Sequence, residues 1–209
     1  SLNLETLTDI KRRNWTIEQY ADFVKEMQKR GKTPTSEVII PLPGETEETY
    51  NSGIKFLMDN NVQPGTYTLM MLSGTELGRD HAIDKYEMKS KWRILSKQLG
   101  TYNGKRSFEI EKICVGTKTM SYEDYLNCRN YSFIVKLLAM PTFAPVYKIA
   151  KNLDISWYDF SKKLTEKIQN PNYEGKIREV YNDFCKEAEE ELFDTKEEAF
   201  DFYSKDTNY

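Results

Sequence analysis

Thr35-Ser36-Glu37-Val38-Ile39-Ile40-Pro41-Leu42-Pro43-Gly44-Glu45-Thr46 is the stretch that decides the architecture. Its first six residues are rich in β-branched side chains and stand between Pro34 and Pro41, which reads as a short buried strand. Pro41-Leu42-Pro43-Gly44 breaks the extended run, and Thr46 caps a helix with Glu47 and Glu48 in its first turn. Ile54, Leu57 and Met58 form the inward face of that helix. After Pro64-Gly65, the run Thr66-Tyr67-Thr68-Leu69-Met70-Met71-Leu72 makes a second strand.

Upstream of Thr35, Thr16 and Gln19 form a capping-box pair. They open a helix with Ile17, Tyr20, Val24 and Met27 on one face, stopped by Gly31. A shorter helix precedes it, around Leu4 to Lys11. The order helix–strand–helix–strand predicts an α/β fold with parallel strands and a crossover helix. In such folds ligands sit on the loops after the strands, here Pro41 to Thr46 and Ser73 to Gly78.

Beyond residue 80 the character changes. Asp84 to Leu99 reads as a helix, and Ser107 to Val115 as a strand or hairpin arm. Ser121-Tyr122-Glu123-Asp124 opens a long helix that Pro141 and Pro145 interrupt. Ser156 and Asp159 cap another, and Tyr173 to Phe193 forms a further one. The seam near residue 120 divides the chain into two parts, 1–120 and a mostly helical 121–209.

The 209 residues carry 30 basic and 33 acidic side chains, a net charge of −3, so bulk charge gives no reason to expect nucleic acid or an acidic membrane. No apolar run approaches the roughly 18 residues of a membrane span. Ser1-Leu2-Asn3-Leu4-Glu5 lacks the order of a signal peptide. Cys114, Cys128 and Cys185 are odd in number and widely spaced, which fits neither a disulfide framework nor a metal motif and points to a cytoplasmic protein. His81, in the polar stretch after Gly78-Arg79-Asp80, reads as an exposed loop residue.

Four places carry potential chemistry. Gly44 lets the backbone approach a ligand, and the following helix start offers N–H groups to an anion; the same residues also make a rigid turn with an ordinary cap. Strand alternation turns Glu37 inward with Ile39, where its carboxylate needs a basic side chain, a ligand ammonium or sugar hydroxyls. Alternatively, Glu37 lies at a frayed strand start and meets water. Arg12 and Arg13 either grip a carboxylate through a guanidinium or are solvated at a helix end. Ser73-Gly74-Thr75-Glu76-Leu77 makes a tight turn with exposed amides.

Taken in order, Ser1-Leu2-Asn3, Arg12-Arg13-Asn14, Glu37 through Thr46, and Leu72-Ser73-Gly74-Thr75-Glu76-Leu77 resemble successive landmarks of the radical SAM core, a partial (β/α)6 barrel. The likeness is to members with an N-terminal cobalamin-binding domain, and Glu109-Ile110-Glu111 through Tyr125 resembles their C-terminal extension. It covers roughly residues 1–130.

The resemblance implies the last strand–helix units of the barrel followed by a helical extension, with S-adenosylmethionine at the strand ends. It assigns Arg12, or Arg13 in its place, to the cofactor's carboxylate, and Glu37 to the neighbourhood of the ribose. Gly44 and Leu72 fall beside the adenosyl portion, and Ser1 at the end of the strand before. The family's Cys-x-x-x-Cys-x-x-Cys run, which ligates a 4Fe–4S cluster, does not occur here. The resemblance therefore implies a fragment that is inactive alone and whose partners are a missing N-terminal half and an unidentified substrate. The rival reading is a non-enzymatic interaction or substrate-docking module.

Overall fold

Burial alternates along strand β1 (Thr35–Ile40): Val38 and Ile40 are buried, Glu37 is exposed and Ile39 half-buried. The computed structural model in which this is seen describes residues 3–205. Two helices precede β1. Helix α1 (Leu4–Asp9) is capped by Asn3, whose side chain accepts from the N–H groups of Glu5 and Thr6. Helix α2 (Ile17–Lys29) opens on the reciprocal Thr16–Gln19 box expected from the sequence. After the cis Ile40–Pro41 peptide comes α3 (Glu47–Asp59), capped reciprocally by Thr46 and Thr49.

Helix α3 carries the chain back to β2 (Gln63–Thr68), which lies parallel to β1 with Val38 opposite Thr66 and Ile40 opposite Thr68. The α–β–α–β order and its parallel pair are as expected. The second strand is displaced toward the N-terminus, however, and stops at Thr68 rather than Leu72. From there the chain leaves the parallel register and pairs antiparallel with a later strand. The Met71 N–H donates to Lys112 O at 2.8 Å, and the Cys114 N–H to Leu69 O at 2.9 Å.

The region read as a helix over 84–99 is a strand. Helix α4 (Asp80–Lys85) is short, and β3 (Lys89–Tyr102) then pairs antiparallel with β4 (Lys105–Gly116). Between them Asn103 and Gly104 both take positive φ, the geometry of a tight hairpin turn. The alternation Lys91-Trp92-Arg93-Ile94 has the period of a strand, and the Asn-Gly pair supplies the turn.

The rest is helical: α5 (Tyr122–Leu138), α6 (Ala144–Asn152), α7 (Trp157–Gln169), α8 (Lys176–Glu190) and α9 (Lys196–Tyr203). Ser121 and Ser156 cap α5 and α7 as anticipated, and a 3-10 turn at Pro141–Phe143 separates α5 from α6. Phe193, after α8, exchanges two backbone hydrogen bonds with Trp92, extending the hairpin by one residue.

The principal apolar core joins Val38 and Ile40 of β1 and Ile54 and Leu57 of α3 to Ile113 of β4, Ile134 of α5 and Ile168 of α7. It thus draws on both sides of residue 120. A smaller cluster of Leu42, Leu69, Met71, Met88 and Cys114 lies beneath the ends of the parallel strands. The face of Val38, Ile40 and Thr66 is buried. On the other face Ile39 is half-buried against the smaller cluster, whereas Glu37 is exposed and Tyr67 is 54% exposed. The fold is α/β, and the described strands do not form a partial barrel. No described helix is long and apolar enough to cross a membrane.

Candidate functional site at the ends of the parallel strands

The turn after β1 is held from three sides. The Glu45 N–H donates back to Leu42 O at 3.0 Å, and Thr119 Oγ1 donates to the Glu45 carbonyl at 2.8 Å. Gly44 takes φ +80°, and a β-carbon there would stand 3.1 Å from Asp9 Oδ2 and 3.5 Å from the Thr6 backbone. The close approach that glycine permits is therefore made to α1, the chain's own helix.

Beside this turn a cleft of about 340 Å³ runs along β1 and α3. Its polar lining includes Arg13, Asn14, Glu37, Glu45 and Tyr50, with Trp15 as an apolar wall. Glu37, expected from alternation to turn inward with Ile39, is instead exposed, as the alternative of a strand start that meets water has it, and it lines the cleft. Arg13, rather than Arg12, lines the cleft with it. Arg12 is exposed, and its backbone N–H donates to Leu7 O at 2.8 Å. Tyr50 is fully buried, and its hydroxyl has no hydrogen-bond partner among the described residues. Burial, reinforced by Cys128 and Glu45, pushes that hydroxyl's pKa well up, so it stays protonated and able to donate.

Leu72 lies past the end of β2 and is 51% exposed. Its carbonyl accepts from the Thr75 N–H at 3.2 Å and from Thr75 Oγ1 at 2.7 Å, closing the turn at Gly74. Leu72 and Gly44 thus belong to neighbouring strand-end loops, whereas Glu37 and Arg13 line one cleft beside β1. Ser1 lies outside the described residues.

His81 stands in the first turn of α4 rather than in a loop, and it is exposed. Its Nε2 is 3.3 Å from Glu76 Oε1, which also accepts from Lys11 Nζ at 3.0 Å. These two contacts, Lys11 first, hold the Glu76 carboxyl below its usual range.

The cysteines do not converge. Cys114 and Cys128 are buried and Cys185 is half-buried; burial pushes the Cys114 thiol up to about 11 and the Cys128 thiol up as well. Among the described residues no three His, Cys, Asp or Glu side chains come together as metal ligands. A 4Fe–4S cluster does not fit on these residues. A polar group that sequence reasoning passed over, Arg93 with Arg129 and Lys136, meets at a hollow between β2, β3 and α5. No sequence signal links the three, because Arg93 on β3 and Arg129 and Lys136 on α5 come together only through the tertiary fold.

No protein-family model matches the chain, and no curated protein matches it.

Proposed function

We propose that this chain is the C-terminal part of a radical SAM enzyme of the cobalamin-binding-domain type. It would contribute strand-end loops and one wall of the cofactor and substrate pocket. The carrying observation is the second face of the β1–β2 pair, which is covered at Ile39 but bare at Glu37 and Tyr67. Parallel strands are ordinarily covered on both faces, yet here Tyr67 is 54% exposed beside the exposed Glu37. Further strands closing over that face would turn it into the interior of a barrel. The Leu42-Pro43-Gly44-Glu45-Thr46 turn supports the same reading, since it follows the C-terminal end of a parallel strand.

In this reading the cluster and S-adenosylmethionine supply the radical chemistry when bound, and the cluster's ligands lie outside this chain. Arg13 takes the carboxylate-gripping role in preference to Arg12, because it is Arg13 that lines the cleft with Glu37. Glu37 faces the sugar hydroxyls, and the loops at Gly44 and Leu72 shield the adenosyl group. The chain alone is inactive.

The test is to sequence the native gene upstream of the codon for Ser1 and to express the longer product without oxygen. A Cys-x-x-x-Cys-x-x-Cys run, with 5′-deoxyadenosine released from S-adenosylmethionine by the longer product only, is the expected result. A start codon directly before Ser1 would overturn the proposal. The bare face would then belong to a non-enzymatic docking module.

A further inference from the structure

On the covered side of the parallel pair, a hollow of about 150 Å³ lies between β2, β3 and α5. Thr66 and Thr68 line it from β2, Arg93 from β3, and Arg129, Ser132 and Lys136 from α5. Arg93 Nε donates to Glu111 Oε1 at 2.6 Å, and Arg93 Nη1 to Glu191 Oε1 at 3.3 Å. Glu191 Oε1 also accepts from Arg129 Nη2 at 3.1 Å. Two carboxylates thus serve two guanidiniums. Lys136 is a third cation at the rim and has no acidic partner among the described residues. Burial, then the nearby Arg129 and Arg93, holds its ammonium below the usual range, as expected where positive charge is in surplus.

The polar atoms around this hollow are under-used. Thr66 is 6% exposed, and among the described residues its buried hydroxyl has no hydrogen-bond partner and the buried Arg129 Nε no acceptor. Leaving such donors unmet is unfavourable. Buried donors from two walls and a surplus cation at the mouth are what an anion requires.

We propose that this hollow binds a small tetrahedral oxyanion, of the phosphate or sulfate class, between Lys136, Arg129 and the Thr66 hydroxyl. Donors converging from a strand and a helix suit a tetrahedral group better than a planar carboxylate, which a single guanidinium fork already satisfies. The radical SAM reading assigns no role to Thr66, Arg129 or Lys136, so the site stands whether or not that reading does.

The experiment is calorimetric titration of the chain with inorganic phosphate, and separately with sulfate, against chloride at equal ionic strength. Saturable binding of either oxyanion, absent with chloride, is expected. Lys136→Met and Thr66→Val should each weaken it about tenfold, the loss expected for a hydrogen bond to a charged group. Lys148→Met, at an exposed lysine on α6, should leave it unchanged. Thr66→Val keeps the side-chain shape and removes only an unpartnered hydroxyl, so the fold is retained. Absence of saturable binding, or equal weakening by Lys148→Met, overturns the site and leaves a water-filled hollow.

Discussion

Thr119 Oγ1 donates to the backbone carbonyl of Glu45 at 2.8 Å, joining two segments 74 residues apart in the chain. One is the turn after β1 and the other is the loop between β4 and α5. Thr119 is itself fixed, since its N–H donates to Thr117 Oγ1 at 3.3 Å and the Thr117 N–H to Met120 O at 2.8 Å. The strand-end turn is thus positioned by the hairpin as well as by its own strand.

Thr119→Val should therefore destabilise the protein by about 1–2 kcal/mol, because it leaves a part-buried carbonyl without its donor. Thr119→Ser keeps the hydroxyl and should recover most of the loss. Urea midpoints of the two variants decide the matter, and equal midpoints would show that the hydroxyl does not hold the turn.

Gly44 presents a different constraint. Its φ of +80° strains any other residue, and a β-carbon would crowd Asp9 Oδ2 at 3.1 Å. Gly44→Ala should be destabilising by about 1–2 kcal/mol from the backbone alone, plus whatever displacing Asp9 adds. Gly31 has a similar φ of +71° with nothing near its β-position, so Gly31→Ala isolates the backbone part. Thermal melts in which Gly31→Ala proved as damaging as Gly44→Ala would argue against tight packing of the turn on α1.

The elements legible in the sequence are those whose signals are local. Thr16 with Gln19, Thr46, Ser121 and Ser156 all cap helices where their side chains predict, because a cap is settled within four residues. The β-branched run before Pro41 likewise forms its strand. Over 84–99 the strand signals are local too, the alternation around Trp92 and the Asn103-Gly104 turn, but they stand among residues that also suit a helix. The end of β2 was not visible in the same way. It depends on Leu69–Met71 meeting β4, a partner some forty residues later. For the site, alternation pointed Glu37 inward although it stands exposed near the start of β1, and nothing local distinguishes Arg13 from Arg12.

Arg93 and Glu111 form the most enclosed ion pair described, with side chains 18% and 7% exposed and Nε 2.6 Å from Oε1. Removing one partner strands the other in a poorly solvated place, so Arg93→Met should be destabilising by roughly 3–5 kcal/mol. Replacing both, as Arg93→Met with Glu111→Leu, should recover a large part of that, since the stranded carboxylate is gone. Chemical denaturation of the single and double variants checks this. A double variant as unstable as the sum of the singles would rule out direct coupling.

The junction of α3 and α7 should be sensitive to acid through Asp59. Its carboxylate accepts from Ser156 Oγ at 2.8 Å, from the Tyr158 N–H at 3.2 Å and from Lys55 Nζ at 3.0 Å. Burial pushes the carboxyl up, but the hydrogen bonds from Ser156, Lys55 and Tyr158 outweigh it and hold the pKa below its usual value. A carboxyl lowered by folding binds its proton more weakly in the folded than in the unfolded chain. Its contribution to stability is therefore complete above the unfolded value, about 3.9, and is lost as pH falls through the lower folded one. The stability difference between wild type and Asp59→Asn should be constant near neutrality and shrink below about pH 4. Urea titrations of both proteins from about pH 7 to about pH 3 measure it. A difference that stayed constant across that span would mean that Asp59 acts at this junction through shape and not through charge.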